Sequence, residues 1–182
     1  SPNTAGILEA NTAQIKIVLD SRNGNAKLLD FPGDNPNDAT GYGDTESCVL
    51  GVYAATNAVI RGLSILAVPT INDTIAVYGV SFAKGGQGRV SGCWIGVHPD
   101  GTTLGGPADG ITGFRFRHRD ENNTVLDQIL ISDIVVGVPK GAATPQAEFN
   151  VFCGIPAIPI IIEGENLRFC GNFFNVFPNG MQ

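Results

Sequence analysis

The sequence predicts an all-β solenoid, a stack of coils each built from short strands. Three observations carry that prediction. One unit recurs at 57–65, 87–95, 123–131 and 166–174, which makes Ile60, Val90, Leu126 and Phe169 equivalent, with steps of 30, 36 and 43 residues. A second mark, Asp44-Thr45-Glu46, Asp73-Thr74-Ile75 and Asp109-Gly110-Ile111, advances by 29 and then 36. Repeats at periods of about 20–50 residues are the signature of solenoids, propellers and arrays. The third observation is composition. Twenty-four glycines, eleven prolines and β-branched runs favour strands parted by turns, and no stretch after residue 12 repeats its apolar residues at helical spacing.

In chain order, residues 1–43 read as an N-terminal cap and first coil, and 44–182 as the stacked coils of a single domain. Residues 8–14 form a short capping helix or strand, and 15–19 are the first β-branched run. Each later coil then adds a strand that cannot bury its inner face alone, so stacking completes both the ladder and the apolar column. The expected inner columns are Ile60/Val90/Leu126/Phe169, Leu63/Cys93/Ile129/Asn172 and Ile65/Ile95/Ile131/Phe174. Gly62, Gly92 and Gly171 mark a bend between two strands of one coil. A competing register aligns Val90-Ser91-Gly92, Ile111-Thr112-Gly113 and Ile131-Ser132-Asp133. Residues 172–180 match 93–101, which predicts a C-terminal end covered by a further coil or a partner.

The phrases Asp109-Gly110-Ile111, Asn123-Thr124-Val125 and Trp94-Ile95-Gly96-Val97-His98-Pro99-Asp100-Gly101-Thr102 resemble the right-handed parallel β-helix repeats of the pectin-lyase-like superfamily, in particular its bacterial surface and secreted members. The resemblance covers about 44–180. It implies a right-handed parallel β-helix of about four coils. It leaves activity open, because that superfamily holds lyases, hydrolases, epimerases, tailspikes and adhesins.

Charge and cysteine content bound the partners. Eleven Lys plus Arg against seventeen Asp plus Glu give a net charge of −6, which argues against nonspecific nucleic-acid binding. No apolar run is long enough to span a membrane, since 155–162 is short and interrupted by Pro156 and Pro159. Cys48, Cys93, Cys153 and Cys170 lack zinc-ligand spacing. Cys93 reads as a small residue of an inner column, and Cys153 with Cys170 as a disulfide pair if the protein is exported.

Three groups of residues are candidates for function. Within 30–44, Asp30, Asp34, Asp38 and Asp44 alternate with Asn, Gly and Pro, a pattern that can converge oxygens on calcium, although it is not an EF-hand and also reads as a solvated loop of Asx-turns. If 114–120 continues the strand begun at Asp109, Arg115, Arg117 and Arg119 share one outer face and form a cationic ridge for an acidic polysaccharide. The competing reading is an ion-pair ladder with Glu46, Asp73 and Glu148. Catalysis by a lyase or hydrolase would draw on Asp127, Asp133 and His118, with Arg115 and Arg117. His98 reads as a turn residue. Phe169, Phe173, Phe174 and Phe177 read as aromatic stacking inside the solenoid or as an interface.

The resulting expectation is a secreted or cell-surface β-helix that serves as a structural, carbohydrate-facing binding module. Its alternatives are a polysaccharide lyase or glycoside hydrolase fragment and a self-assembling phage or filament subunit.

Overall fold

The computed structural model describes residues 4, 13–23, 29–30, 45–71, 75–83, 85–113, 116–119 and 125–178. The chain is all-β, with parallel sheets and one 3-10 turn at Pro145–Glu148 among the described residues. Most consecutive strands of the chain go to different sheets, and each new pass lays them beside those of the previous pass; Leu29–Asp30 with Thr45–Tyr53, Thr70–Ile71 with Ile75–Ala83, and Phe116–Arg119 with Val125–Ile129 instead pair antiparallel with their chain neighbours.

Sheet I runs from Thr45–Tyr53 through Ile75–Ala83 and Asp109–Gly113 to Ile160–Ile162, all parallel, with Leu29–Asp30 antiparallel on its first edge. Sheet II orders Ala58–Arg61, Gly88–Ser91, Ile134–Gly137 and Arg168–Cys170. Sheet III orders Ile17–Asp20, Leu63–Leu66, Trp94–Ile95, Asn150–Phe152 and Asn172–Phe174. Parallel neighbours require a long crossover, most often a helix. Here the strands of the other two sheets make that crossover. The main core accordingly draws Val80, Phe82 and Ile111 from sheet I, Ile60, Val90 and Val136 from sheet II, and Ile65, Ile95 and Phe152 from sheet III. Each such side chain, once fully buried, contributes about 1.5–3 kcal/mol.

Local sequence accounts for the burial of each sheet. Ala58–Arg61 alternates, with Ile60 buried and Val59 and Arg61 exposed, as expected where one side meets solvent. Ser64, Ile65 and Leu66 are all buried because sheet III is covered on both sides. Its outer side carries a second cluster of Trp94, Val97, Val151 and Cys153, sealed by Ile15 and Phe177. Ile15 therefore does its packing just before the first strand. Residues 13–16 are neither helix nor strand, and 8–12 lie outside the described residues.

The register corrects the sequence reading in the third pass. Ile60 stands opposite Val90 and Ile65 opposite Ile95, as expected. The next members, however, are Val136 and Phe152, followed by Phe169 and Phe174. Leu126 and Ile129 belong instead to an antiparallel hairpin, Phe116–Arg119 with Val125–Ile129, inserted between sheets I and II. Ile131 lies on a short strand paired with Gly164–Glu165, and its Cδ1 comes within 3.2 Å of where a Cβ on Gly113 would sit, so it fills the space that glycine leaves. The second sequence mark also shifts: Asp109 stands opposite Tyr78, and Tyr78 opposite Cys48.

The predicted bend is present. Gly62, Gly92 and Gly171 have φ of 70°, 61° and 68°, the left-handed region that a side chain disfavours.

Candidate functional site

The residues singled out from sequence are distributed by this register. Asp34, Asp38, Asp44 and Arg115 lie outside the described residues. Asp30 sits on the two-residue strand opposite Thr45, and its side chain is outside the description. The strand that begins at Asp109 is described as far as Gly113, and Phe116–Arg119 is a separate strand with a different partner. Arg117, His118 and Arg119 instead lie on the hairpin, where His118 faces Asp127, Arg117 faces Gln128 and Arg119 faces Val125, with a bulge after His118. The backbone thus brings His118 and Asp127 together. Their side chains, with those of Arg117 and Arg119, are outside the described residues. The expected partner Glu148 pairs elsewhere: its Oε1 is 2.9 Å from Arg61 on sheet II.

Asp133 lies apart from the hairpin strands, at the bend that leads into sheet II. Asn57, Asp133 and Asn166 occupy this bend in the first, third and fourth passes with φ of 57°, 56° and 53°, and Gln87 stands there in the second. Asn and Asp adopt the left-handed region more readily than other side chains because their short polar groups bond locally. The polar groups also bond across the passes. Asn166 Nδ2 donates to Asp133 Oδ1 at 3.3 Å, Ser132 Oγ donates to Asp133 Oδ2 at 2.9 Å, and Gln87 Nε2 donates to Ser132 Oγ at 3.0 Å.

Beside this polar corner the outer side of sheet II holds a groove of about 290 Å³, lined by Asn57, Val59, Gln87, Arg89, Asp133 and Val135, with Ala58 and Gly88 between them. Arg89 stands between Val59 and Val135 on neighbouring strands. Its Nε is buried and has no hydrogen-bond partner among the described residues. The other two arginines of sheet II are engaged, Arg61 by Glu148 and Arg168 through its Nε on the Val138 carbonyl at 2.9 Å. Arg89 is the residue that sequence reasoning missed. The available signal was its outward place in the 87–95 unit, next to a bend rich in Asn, Gln and Asp.

The turn at 98–103 accounts for His98. Asp100 Oδ1 accepts from the N–H groups of Thr102 and Thr103, both at 2.8 Å, and Oδ2 accepts from the Thr103 hydroxyl at 2.6 Å. These bonds, the hydroxyl first, hold the Asp100 carboxyl well below the usual range. His98 closes the turn, with its N–H on the Thr103 carbonyl and its Nδ1 3.2 Å from Asp100 Oδ2.

All four cysteines are free, which overturns the Cys153–Cys170 disulfide. Cys153 follows sheet III and Cys170 ends a strand of sheet II, so they belong to different sheets. Among the described residues no cluster of three His, Cys, Asp or Glu can hold a metal, and no helix is long and apolar enough to cross a membrane. Compared with known proteins, the chain matches no family model, no curated protein and no solved structure.

Proposed function

We propose that the chain is a right-handed parallel β-helix of four passes, secreted or at a cell surface, which acts as a structural module and binds an acidic glycan along sheet II. The observation that carries this reading is the groove in which Arg89 Nε has no acceptor among the described residues while Asn57, Gln87 and Asp133 line the rim. A sugar ring has hydroxyls that both donate and accept, and an apolar face. The rim amides and the Asp133 carboxylate meet the first property, and Val59, 57% exposed, meets the second. A guanidinium pairs with a carboxylate or sulfate through two parallel N–H bonds, which suits Arg89 to a uronate or sulfated residue.

The test is titration calorimetry of the purified chain with a uronic-acid polysaccharide and a neutral one of matched length. Binding of the acidic polymer that is lost in Arg89→Ala and retained in Arg168→Ala supports the groove. Equal binding by Arg89→Ala removes it. Ultraviolet absorbance of the same mixtures reports unsaturated products, whose appearance would replace the binding module with a lyase.

A further inference from the structure

The bend from sheet II to sheet III is short in three of the passes. Gly62 separates Arg61 from Leu63, Gly92 and Cys93 separate Ser91 from Trp94, and Gly171 separates Cys170 from Asn172. In the third pass residues 138–149 intervene between Gly137 and Asn150, with the 3-10 turn Pro145–Glu148 near their end. The two ends of this segment each take hold of an arginine. Arg168 donates through Nε to the Val138 carbonyl at 2.9 Å, and Arg61 Nη2 lies 2.9 Å from Glu148 Oε1. Glu148 is only 7% exposed and its carbonyl accepts the Gly92 N–H at 3.1 Å, so the turn fixes where its carboxylate sits. Arg61, Arg89 and Arg168 share the outer side of sheet II: Arg89 stands between Val59 and Val135, Val135 faces Arg168, and Arg61 is two residues beyond Val59. At ordinary strand spacing Arg89 is roughly 10 Å from Arg168 and roughly 8 Å from Arg61 along the backbone surface. Paired with Glu148, Arg61 leans away from the groove, its Cγ 3.8 Å from where a Cβ on Gly92 would sit, past the far end of the strand that carries Arg89.

Building on the glycan reading above, we infer that Glu148 determines which acidic glycan the groove accepts: by holding Arg61 away, it fits the groove to a glycan with isolated anionic groups and against one charged on every sugar. Three free arginines this close would offer a cationic surface to any dense polyanion. With Arg61 on Glu148 and Arg168 Nε on Val138, the guanidinium left to the groove is that of Arg89, whose Nε has no acceptor among the described residues. A single guanidinium fork pairs with one carboxylate or sulfate. Further anionic groups on the same ligand then meet the Asp133 carboxylate at the rim and a chain of net charge −6, both of which repel them. Specificity of this kind comes from what is withheld from the wrong ligand as much as from what is offered to the right one. Glu148 is thus a positioning residue that acts on the ligand through Arg61.

The test is calorimetric titration, at several salt concentrations, with a uronic-acid polysaccharide and with the same polymer carboxyl-reduced until most of its sugars are neutral. The parent should bind both with similar affinity per site and a shallow salt dependence. Glu148→Gln frees Arg61 and should bind the fully charged polymer about tenfold more tightly, as for one added charge-assisted contact, with a steeper salt dependence and no gain for the reduced polymer. Adding Arg61→Ala to that variant should cancel the gain. Arg61→Gln, which leaves the buried carboxylate untouched, should bind both polymers as the parent does, because Arg61 is already withheld. Unchanged affinities in a folded Glu148→Gln, or weaker binding in Arg61→Gln, overturn the inference and leave the groove on Arg89 standing. A parent that binds neither polymer removes the groove reading and this one with it.

Discussion

Asn150 donates its side-chain amide to Asn172 Oδ1 at 3.0 Å, and the two residues perform the same task one pass apart. Asn150 Nδ2 also donates to the carbonyl of Val90 at 2.9 Å, and Asn172 Nδ2 donates to that of Val136 at 2.9 Å. Val90 and Val136 are themselves partners in sheet II, so each asparagine reaches back to the same position of the pass before it. In the second pass Cys93 takes this place, with Sγ 3.8 Å from the Ile60 carbonyl. At the bend from sheet II to sheet III the side chains at 93, 150 and 172 thus each reach a carbonyl of the preceding pass.

Replacing Asn150 by Leu should therefore be costly. Asn150 is fully buried, and its Oδ1 also accepts the Cys93 N–H at 2.9 Å. The substitution leaves that buried N–H without its acceptor, at about 1–3 kcal/mol, and removes the donor to the Val90 carbonyl, at about 1 kcal/mol, for roughly 2–4 kcal/mol in all. Asn172→Leu, at a half-buried site that water reaches, should cost about 1 kcal/mol. Urea unfolding of both variants gives the comparison, and equal midpoints would refute the ladder.

Two glycines with positive φ separate backbone strain from close packing. At Gly62, φ is 70° and an added Cβ meets nothing within 4 Å, so Gly62→Ala should cost only the left-handed penalty of about 1–2 kcal/mol. At Gly137, φ is 95° and the Cβ would collide with the backbone carbonyl of Cys170 in the next pass. Gly137→Ala adds overpacking to strain and should cost roughly 3 kcal/mol or more. Thermal midpoints of the two variants decide this, and a Gly62 variant that is the less stable of the two would contradict the register.

The thiols should react in an order set by the fold. Cys170 is exposed, Cys48 half-buried, and Cys153 and Cys93 buried. Burial raises the Cys93 thiol to about 11 and pushes Cys153 upward, so the nucleophilic thiolate is scarce at both. Iodoacetamide labelling followed by mass spectrometry should show Cys170 modified first and Cys93 only on unfolding. Because the folded form favours the neutral Cys93 thiol, its contribution to stability is full below the unfolded value near pH 9 and declines as pH rises above it. Early labelling of Cys93 in the native protein would sink this account.

The part of the fold that sequence made legible is the part where passes have equal length. Ile60 with Val90 and Ile65 with Ile95 were readable because no insert separates those strands. The third pass was misread because Asn123-Thr124-Val125-Leu126 imitates Asn57-Ala58-Val59-Ile60, and local pattern encodes strand and turn but not which strand pairs with which. The true equivalent begins at Asp133, which shares the left-handed backbone of Asn57. For the same reason the sequence reading places Arg117 and Arg119 on the strand begun at Asp109, whereas they lie on the hairpin. Arg89 escaped notice because its importance rests on what its neighbours leave unpaired, a property of packing across passes.

Asp100 links stability to acid. The Thr103 hydroxyl and the N–H groups of Thr103 and Thr102 favour its carboxylate, so its folded pKa lies below the ordinary value of 3.8. A lowered acid pKa means that the unfolded chain binds the proton first. The stabilisation is present above about pH 4 and is lost as pH falls toward the folded value. Asp100→Asn removes this dependence and loses the charge-assisted bonds at every pH. The variant should be less stable than the parent at neutral pH, and its stability should fall less steeply between about pH 4 and 2. Thermal unfolding in a series of acidic buffers measures both slopes. Parallel acid limbs would show that the turn at 98–103 has no part in the acid sensitivity, which would then rest on carboxylates elsewhere, Asp20 beside Arg22 first among them.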